Sequence, residues 1–413
     1  MEQQELIPHL FRTEYSRITT VLCKLFGIEH IEIAEDIASE TFLLAVETWS
    51  YKGLPPNPAA WLYFVAKNKA KNYFQHNKIF TQKIISQVKY SIAATEEIEI
   101  DLSEKNITDS QLQMLFTICH PSISTEAQIG LSLRILCGFG IDEIADAFLT
   151  SRETIYKRLS RAKEKLRLEN VQIELPNNIE IGKRLETVLR TLYLLFSEGY
   201  YSERQNAVIR KDLCLEAMRL TYLLIKNEQT NYHSTNALLS LMCFHSSRLE
   251  ARQNEKGETI LYQDQDENLW NAELIGKGNY YLKQASQWNI VSKYYFEAGI
   301  AYWHTVKADT KEKWENILKL YNHLLQLEYS PIAALNRTFA LSKANSKEEA
   351  ITEAEKLNLS DNHFYYILLG ELYKNMDNQK ANTHFQKALL LAKTQTEKHT
   401  IKKKIDELDK KIN

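Results

Sequence analysis

A run of cationic side chains between residues 152 and 167 is the clearest candidate for chemistry in this sequence. Lysine and arginine side chains neutralise phosphate groups, and an arginine can also donate two hydrogen bonds to the edge of a base. The cationic residues of the run are Arg152, Lys157, Arg158, Arg161, Lys163, Lys165 and Arg167. Only Glu153 and Glu164 oppose them, so the run predicts a surface that binds a polyanion.

Two short helices would position these cations. Apolar residues three and four apart predict one helix over Ile141–Ala147, and Thr150 and Ser151 are residue types that cap the start of another. The second helix would bury Ile155, Leu159 and Ala162. A short helix, a tight turn and a cationic second helix are typical of a helix-turn-helix motif that enters the DNA major groove. The alternative is an ordinary helical hairpin with a solvated cationic face.

A mixture of aromatic and polar side chains follows Pro58. Proline is well placed in a first helical turn, so Pro58 predicts the start of a helix. Aromatic rings can stack on unpaired bases while lysines hold phosphates. The side chains suited to that task are Trp61, Tyr63, Lys67, Asn68, Lys71 and Asn72. The alternative is that Trp61, Phe64 and Val65 belong to the core while the lysines are solvated.

The chain that carries these elements has the composition of a soluble globular protein. Its 413 residues predict two or three domains, and hydrophobic residues make up 44%. Glycine (12) and proline (7) are few and alternating β-branched runs are scarce, so an all-α fold is predicted. Because the net charge is −2, any affinity for DNA must come from local cationic patches.

Cysteine usage and hydropathy indicate the compartment. The five cysteines are scattered without a C-x-x-C pair, which argues against a disulfide framework and fits a reducing cytoplasm. The acidic N-terminus does not resemble a signal peptide, and no run approaches the ~20 apolar residues of a membrane span. We therefore expect a cytoplasmic protein without a membrane partner.

Candidate catalytic and metal-binding groups are few. Asp264, Asp266 and Glu267 lack the glycine-bearing loop of a calcium site, and Cys243 with His245 lacks a second pair of zinc ligands. No Ser/His/Asp or paired-carboxylate arrangement stands out. The sequence therefore predicts no metal, no cofactor and no catalytic residue, and the protein is not expected to be an enzyme.

Two stretches of the chain resemble a known family. AEDIASETFLLAVETW with PAAWLYFVAKNKAKNYF resembles region two of an extracytoplasmic-function (ECF) sigma factor of the sigma-70 family, and residues 131–167 resemble region four. The resemblance implies region two over residues 1–77 and region four over 108–170, with a flexible acidic linker at 78–107. One departure is the turn Phe148-Leu149-Thr150, where the family commonly has Leu-Gly, so base contacts are not transferred by analogy.

The resemblance also implies partners and residue roles. A sigma factor binds the clamp and flap of core RNA polymerase and directs promoter recognition and transcription initiation. The acidic face implied to bind polymerase is Glu35, Asp36 and Glu40. The residues implied to read and open the downstream promoter element are Trp61, Tyr63, Lys67, Asn68, Lys71 and Asn72. Those implied to read the upstream element in the major groove are Arg152, Thr154, Lys157, Arg158, Arg161 and Lys163.

The remaining residues, 180–413, exceed the length of ordinary family members. Four stretches resemble a subgroup with a long tetratricopeptide-like C-terminal extension: residues 189–202, 238–252, 260–270 and 330–341. The pattern of residues 368–392, which includes Gly370 and Phe385, predicts a helical pair of that repeat type. Such repeats stack and present a groove for a protein partner. We expect the extension to regulate the sigma regions, in a direction that the sequence does not fix.

Two other functions compete with the sigma factor. One is a polymerase-independent helix-turn-helix regulator whose helical repeats sense a ligand or a partner, and the other is a scaffold in which the repeats alone function. The acidic helix beside the lysine and aromatic helix favours the sigma factor, because a simple regulator needs neither.

Overall fold

Helices make up the regular structure of the chain. The computed structural model describes residues 3–76, 100–200, 207–252, 260, 262–288, 290–393 and 395–412. Over these ranges there are eighteen α-helices, with short 3-10 and π turns and no strand. The predicted all-α class is confirmed. The helices form two compact units, Met1–Asn231 and Tyr232–Asn413.

The first three helices of the first unit form a bundle. They are α1 (Gln3–Phe26), α2 (Ile31–Lys52) and α3 (Pro58–His76). Gly53 ends α2 with a φ of +76°, and its N–H donates to the Trp49 carbonyl at 3.0 Å. The indoles of Trp49 and Trp61 then pack edge to face, with ring centroids 5.3 Å apart, which fixes α3 against α2.

Four short helices follow in the same unit. They are α4 (Glu104–Ile118), α5 (Thr125–Leu131), α6 (Ile141–Ala147) and α7 (Arg152–Leu168), with a π-helical turn at Ser132–Leu136. A serine caps α4, α5 and α7: Ser103, Ser124 and Ser151 each accept a hydrogen bond from a backbone N–H three residues on. The bounds of α6 match the predicted helix.

The predicted linker differs from the structure at its C-terminal end. Most of residues 78–107 lie outside the described ranges. Glu104 already begins α4, and Ile100 and Leu102 are buried. The serine cap and the two apolar side chains attach this segment to the bundle, so residues 100–107 are part of the folded unit.

The first unit also includes two helices of the predicted extension. They are α8 (Asn178–Tyr200) and α9 (Ala207–Lys226). Thr191 of α8 donates a buried hydrogen bond to the Gln128 side chain at 2.9 Å, and Arg219 of α9 donates to the Leu136 carbonyl at 2.6 Å. These contacts place the boundary between the units at residue 231, not near residue 180.

The second unit is a series of helical pairs. Its helices are α10 (His233–Ser246), α11 (Ala272–Ala285), α12 (Lys293–Trp303), α13 (Lys311–Leu327), α14 (Pro331–Ala344), α15 (Lys347–Leu357), α16 (His363–Tyr373), α17 (Asn378–Leu391) and α18 (Gln395–Ile412). From α12 onward each helix packs against the next. A Cβ at Gly370 would lie 2.5 Å from the Phe385 ring, so the absent side chain lets α16 and α17 approach closely.

Two properties extend along the whole chain. All five cysteines are free and buried, and burial raises the pKa of the Cys119 and Cys243 thiols to about 12. Within the described ranges, no helix has both the length and the apolar character needed to cross a bilayer.

Candidate nucleic-acid interface

Helix α7 presents a cationic face that begins at a sharp turn. Its apolar stripe, which includes Ile155, Leu159 and Leu166, is buried, and α7 packs against α5 and α6. Leu149 in the preceding turn has a φ of +48° and is 83% exposed. This left-handed conformation is the one that glycine adopts without strain, which explains why the family commonly has glycine there. The turn directs the first two turns of α7 outward.

Most of the cationic residues predicted on α7 are accessible. Arg152, Thr154, Lys157 and Arg161 are exposed, and Arg158 is half-buried with its guanidinium 5.7 Å from the centre of the Phe148 ring. Lys157 pairs with Glu153 at 2.6 Å, a contact between exposed groups that contributes little stability. Arg158 and Arg161 line an open groove of about 460 Å³ together with Lys157 and Lys165. The exposed Tyr156 lies beside them and was not predicted as a site residue.

Lys163 is the exception on α7, because its side chain is buried at the edge of the apolar stripe. Its Nζ donates to Oε2 of Glu35, and Arg134 Nε donates to the other oxygen of the same carboxylate at 2.8 Å. We call these three side chains the Glu35 cluster. A residue predicted to bind DNA and one predicted to bind polymerase therefore contact each other.

The surroundings of the Glu35 cluster tie α2 to α7. Arg134 also donates to the Tyr15 hydroxyl at 3.1 Å, and burial together with the charge of Glu35 raises the pKa of Tyr15 to about 12. One helical turn after Lys163, Arg167 pairs with Glu32. Helices α2 and α7 thus lie in one compact unit, because α7 and the π-helical turn hold the start of α2.

The outward face of α2 remains open. Asp36 and Glu40 are exposed, and with Leu43 and Glu47 they follow the helical spacing that places side chains on one face. Leu43 is 59% exposed, and Glu40 pairs with Lys69 of α3 at 2.7 Å. Asp36 and Glu40 were predicted as site residues. Leu43 was not, although its position three residues after Glu40 was visible in the sequence.

Helix α3 has one exposed stripe and one half-buried stripe. Phe64 is 64% exposed and shares a face with the exposed Asn68 and Asn72, each four residues from the last. Of the predicted site residues on α3, Trp61, Tyr63, Lys67 and Lys71 are half-buried. The alternative that placed Phe64 in the core is wrong, because Leu62, Ala66, Ala70 and Phe74 form the buried stripe instead.

The Tyr63 hydroxyl is engaged in hydrogen bonds beneath the exposed face of α3. It donates to the buried Glu14 carboxylate and accepts a hydrogen bond of 3.5 Å from Arg17. Burial and the hydrogen bond to Glu14 raise the pKa of Tyr63 to about 12. This arrangement fixes the tilt of α3 relative to α1.

Known families match two parts of the chain. The sigma-70 region 2 profile matches residues 10–79, which span α1 to α3. Residues 10–79 therefore contain a sigma-70 region 2 domain. A second profile, a family of unknown function (DUF6596), matches residues 184–286. That match covers most of α8 and all of α9 to α11.

One curated relative covers nearly the whole chain. The uncharacterized protein R00370 of Rhizobium meliloti (strain 1021) is 31% identical over 392 residues, which are 92% of this chain and 90% of that protein. No solved structure matches. The similarity therefore extends through both units.

Proposed function

We propose that this sigma-70 family protein is an ECF-type sigma subunit that binds core RNA polymerase and directs it to promoters. One observation carries the proposal: a single compact unit contains the region-two helices and, at α6 and α7, a short helix, a turn and an outward cationic helix. A simple DNA-binding regulator needs the second of these but not the first.

Polymerase would bind the outward face of α2. Asp36, Glu40 and Glu47 are exposed carboxylates on one helix face, and the exposed Leu43 lies among them. Interfaces combine an apolar centre with a charged rim, and this stripe has both. Glu35, by contrast, is accessible to polymerase only after the Glu35 cluster separates.

The downstream promoter element would bind α3. Phe64 offers an exposed ring on which an unpaired base can stack, and Asn68 and Asn72 continue its face with amide donors and acceptors. Lys67 and Lys71 flank the stripe and would hold phosphates. Trp61 and Tyr63 would support this face through their contacts with α2 and α1.

The upstream element would bind α7 as the second helix of a helix-turn-helix. Arg152, Thr154, Lys157, Arg158 and Arg161 would supply base and phosphate contacts in the major groove. Lys163 would join them only if the Glu35 cluster opens. Because α8 and α9 pack on α4, α5 and the π-helical turn, they give the C-terminal extension a direct route to region four. The helical pairs from α12 to α18 resemble tetratricopeptide repeats, which bind protein partners.

Run-off transcription with core polymerase on a genome-derived template library tests the proposal. The wild-type chain should give specific transcripts. Asp36→Lys with Glu40→Lys should reduce capture of core polymerase at least tenfold at unchanged helicity, while the control Glu312→Lys on α13 should not. Arg158→Ala should weaken promoter binding by about 1–3 kcal/mol if it contacts a base, against no change for the exposed Lys105→Ala.

Two results would contradict the proposal. Absence of any specific transcript with a folded protein would exclude the sigma function. Sequence-specific DNA binding without capture of polymerase would favour a polymerase-independent regulator.

A further inference from the structure

The second unit contains a large cationic cavity. Its volume is about 1010 Å³, and its lining extends from Arg248, just after α10, to Glu407 on α18. Seven of the lining side chains are lysine or arginine, and four are aspartate or glutamate. The cavity therefore carries an excess of positive charge, whereas the chain as a whole has a net charge of −2.

Acidic side chains neutralise only part of the lining. Glu371 pairs with Lys404 at 2.5 Å, Asp309 with Lys343 at 3.2 Å, and Glu407 with Lys374 at 3.8 Å. Lys307 is 3.7 Å from Glu267. Among the residues that the structure describes, neither Arg248 nor Lys313 has a carboxylate within ion-pair distance.

These two cations are also the most deeply buried of the set. Lys313 is 1% exposed and Arg248 is 7% exposed. Lys313 Nζ donates to the Tyr262 hydroxyl at 2.9 Å and to the Val306 carbonyl, and the Arg248 guanidinium lies 5.4 Å from the centre of the Tyr262 ring. Burial lowers the pKa of Lys313, while the charge of Asp309 opposes this effect and that of Arg248 adds to it.

Unpaired hydrogen-bond donors and neutral groups complete the floor of the cavity. Nε of Arg248 is buried and has no hydrogen-bond partner in the described ranges, and the same is true of Nδ1 of His304. Burial lowers the pKa of His304 to about 3, so its imidazole is neutral at physiological pH. Arg248 and His304 both line the cavity, so a ligand bound there would complete the hydrogen bonds of these two nitrogens.

We propose that this cavity binds a phosphorylated small molecule whose phosphate lies between Arg248 and Lys313. An oxyanion there accepts hydrogen bonds from the Arg248 guanidinium and supplies the negative charge that the floor lacks. The volume exceeds that of one phosphate group, and Trp314 and Phe339 give the rest of the ligand an apolar wall. Cations buried this deeply are reached by a small group and not by the surface of a folded protein.

The exposed rim offers a matched pair of variants. Lys403 and Lys402 are neighbouring exposed lysines on α18, but only Lys403 lines the cavity. Substituting either one with alanine removes the same charge at nearly the same place on the surface. A difference in ligand affinity between the two variants therefore shows that the ligand binds in the cavity, and not that it responds to the overall charge of the protein.

Calorimetry and thermal unfolding of the full chain test the proposal, with inorganic phosphate, pyrophosphate, nucleoside triphosphates and a poly-glutamate peptide as probes in a weakly interacting buffer. At least one phosphate compound should bind and raise the Tm. Lys313→Met and Arg248→Gln should weaken that binding at least tenfold, Lys403→Ala about threefold, and Lys402→Ala not at all. If the two buried variants fail to fold, the rim pair alone decides.

Three outcomes would overturn the proposal. One is that no phosphate compound binds. Another is that the two rim variants bind the phosphate compound equally. The last is that poly-glutamate binds while every phosphate compound fails, which would identify the cavity as a site for an acidic protein segment.

Discussion

The Glu35 cluster and the floor of the cationic cavity both bury charged side chains, but only the Glu35 cluster pairs its cations with a carboxylate. In the first, one carboxylate contacts two cations from another part of the unit. In the second, Arg248 and Lys313 have no acid to contact among the described residues. Buried charge with partners fixes two elements to each other, whereas buried charge without partners is retained at a cost that folding alone does not explain. The first is a structural contact and the second has the character of a binding site.

Removal of the Glu35 charge should have the largest effect. Glu35→Gln leaves the half-buried Arg134 without a carboxylate partner and the buried Lys163 with only Glu32, 3.9 Å away, and breaking a buried ion pair typically costs about 3–5 kcal/mol. We expect amide hydrogen exchange in α2 and in the last two turns of α7 to accelerate at least 100-fold. The control is Asp36→Asn, an exposed neighbour on the same helix, for which exchange should change less than threefold. Equal effects of the two variants would show that the Glu35 cluster does not hold α7 against α2.

Removal of the Lys313 charge should leave the stability of α13 unchanged or raise it slightly, in contrast to the loss expected for Glu35→Gln. Without added phosphate, Lys313→Met replaces an unpaired buried cation by an apolar side chain of similar length, which offsets the loss of two hydrogen bonds. Exchange in α13 should therefore stay the same or slow by up to about fivefold, roughly 1 kcal/mol. Lys311→Met, an exposed change on the same helix, serves as the control. Acceleration of tenfold or more would assign Lys313 a purely structural role.

A change in backbone strain should have the smallest effect on stability of the three, and it alters no charge. Leu149→Gly removes an exposed side chain from a left-handed position, so it should stabilise the α6–α7 turn by about 0.5–1 kcal/mol. Leu168→Gly, an exposed leucine at the end of α7, should destabilise by a similar amount because glycine disfavours a helix. Thermal unfolding of the two variants should shift in opposite directions. A lower Tm for Leu149→Gly would mean that the leucine contributes contacts which outweigh its strain.

The sequence predicted those features that depend on residues close together in the chain, such as helix bounds and the exposure of side chains. The helix over Ile141–Ala147 and the start of α7 were predicted because Ser151 caps the helix and Ile155 and Leu159 repeat with helical spacing. The exposure of Arg152 and Arg161 follows from the same spacing. The exposure of Phe64 was not predicted, although helical spacing indicates it, since Leu62, Ala66, Ala70 and Phe74 share a more continuous apolar stripe on α3.

Contacts between distant segments did not follow from the sequence. Lys163 and Glu35 are 128 residues apart, and helical spacing does not indicate which helix a buried edge will meet. The unit boundary at residue 231 depends on hydrogen bonds such as that from Thr191 to Gln128, which are equally invisible in composition. Arg248 and Lys313 are likewise distant in the sequence and meet only at the cavity floor. The cationic character of this cavity therefore could not be predicted from a net charge of −2.

The burial of every cysteine in the chain makes it suited to optical distance measurements. Thiols with raised pKa values and no solvent access react slowly with maleimide dyes. Cysteines introduced at the exposed positions Asn68 on α3 and Ser160 on α7 would therefore be labelled selectively in the otherwise native chain. Energy transfer between the two dyes would report in real time whether α3 and α7 separate when polymerase or a ligand is added.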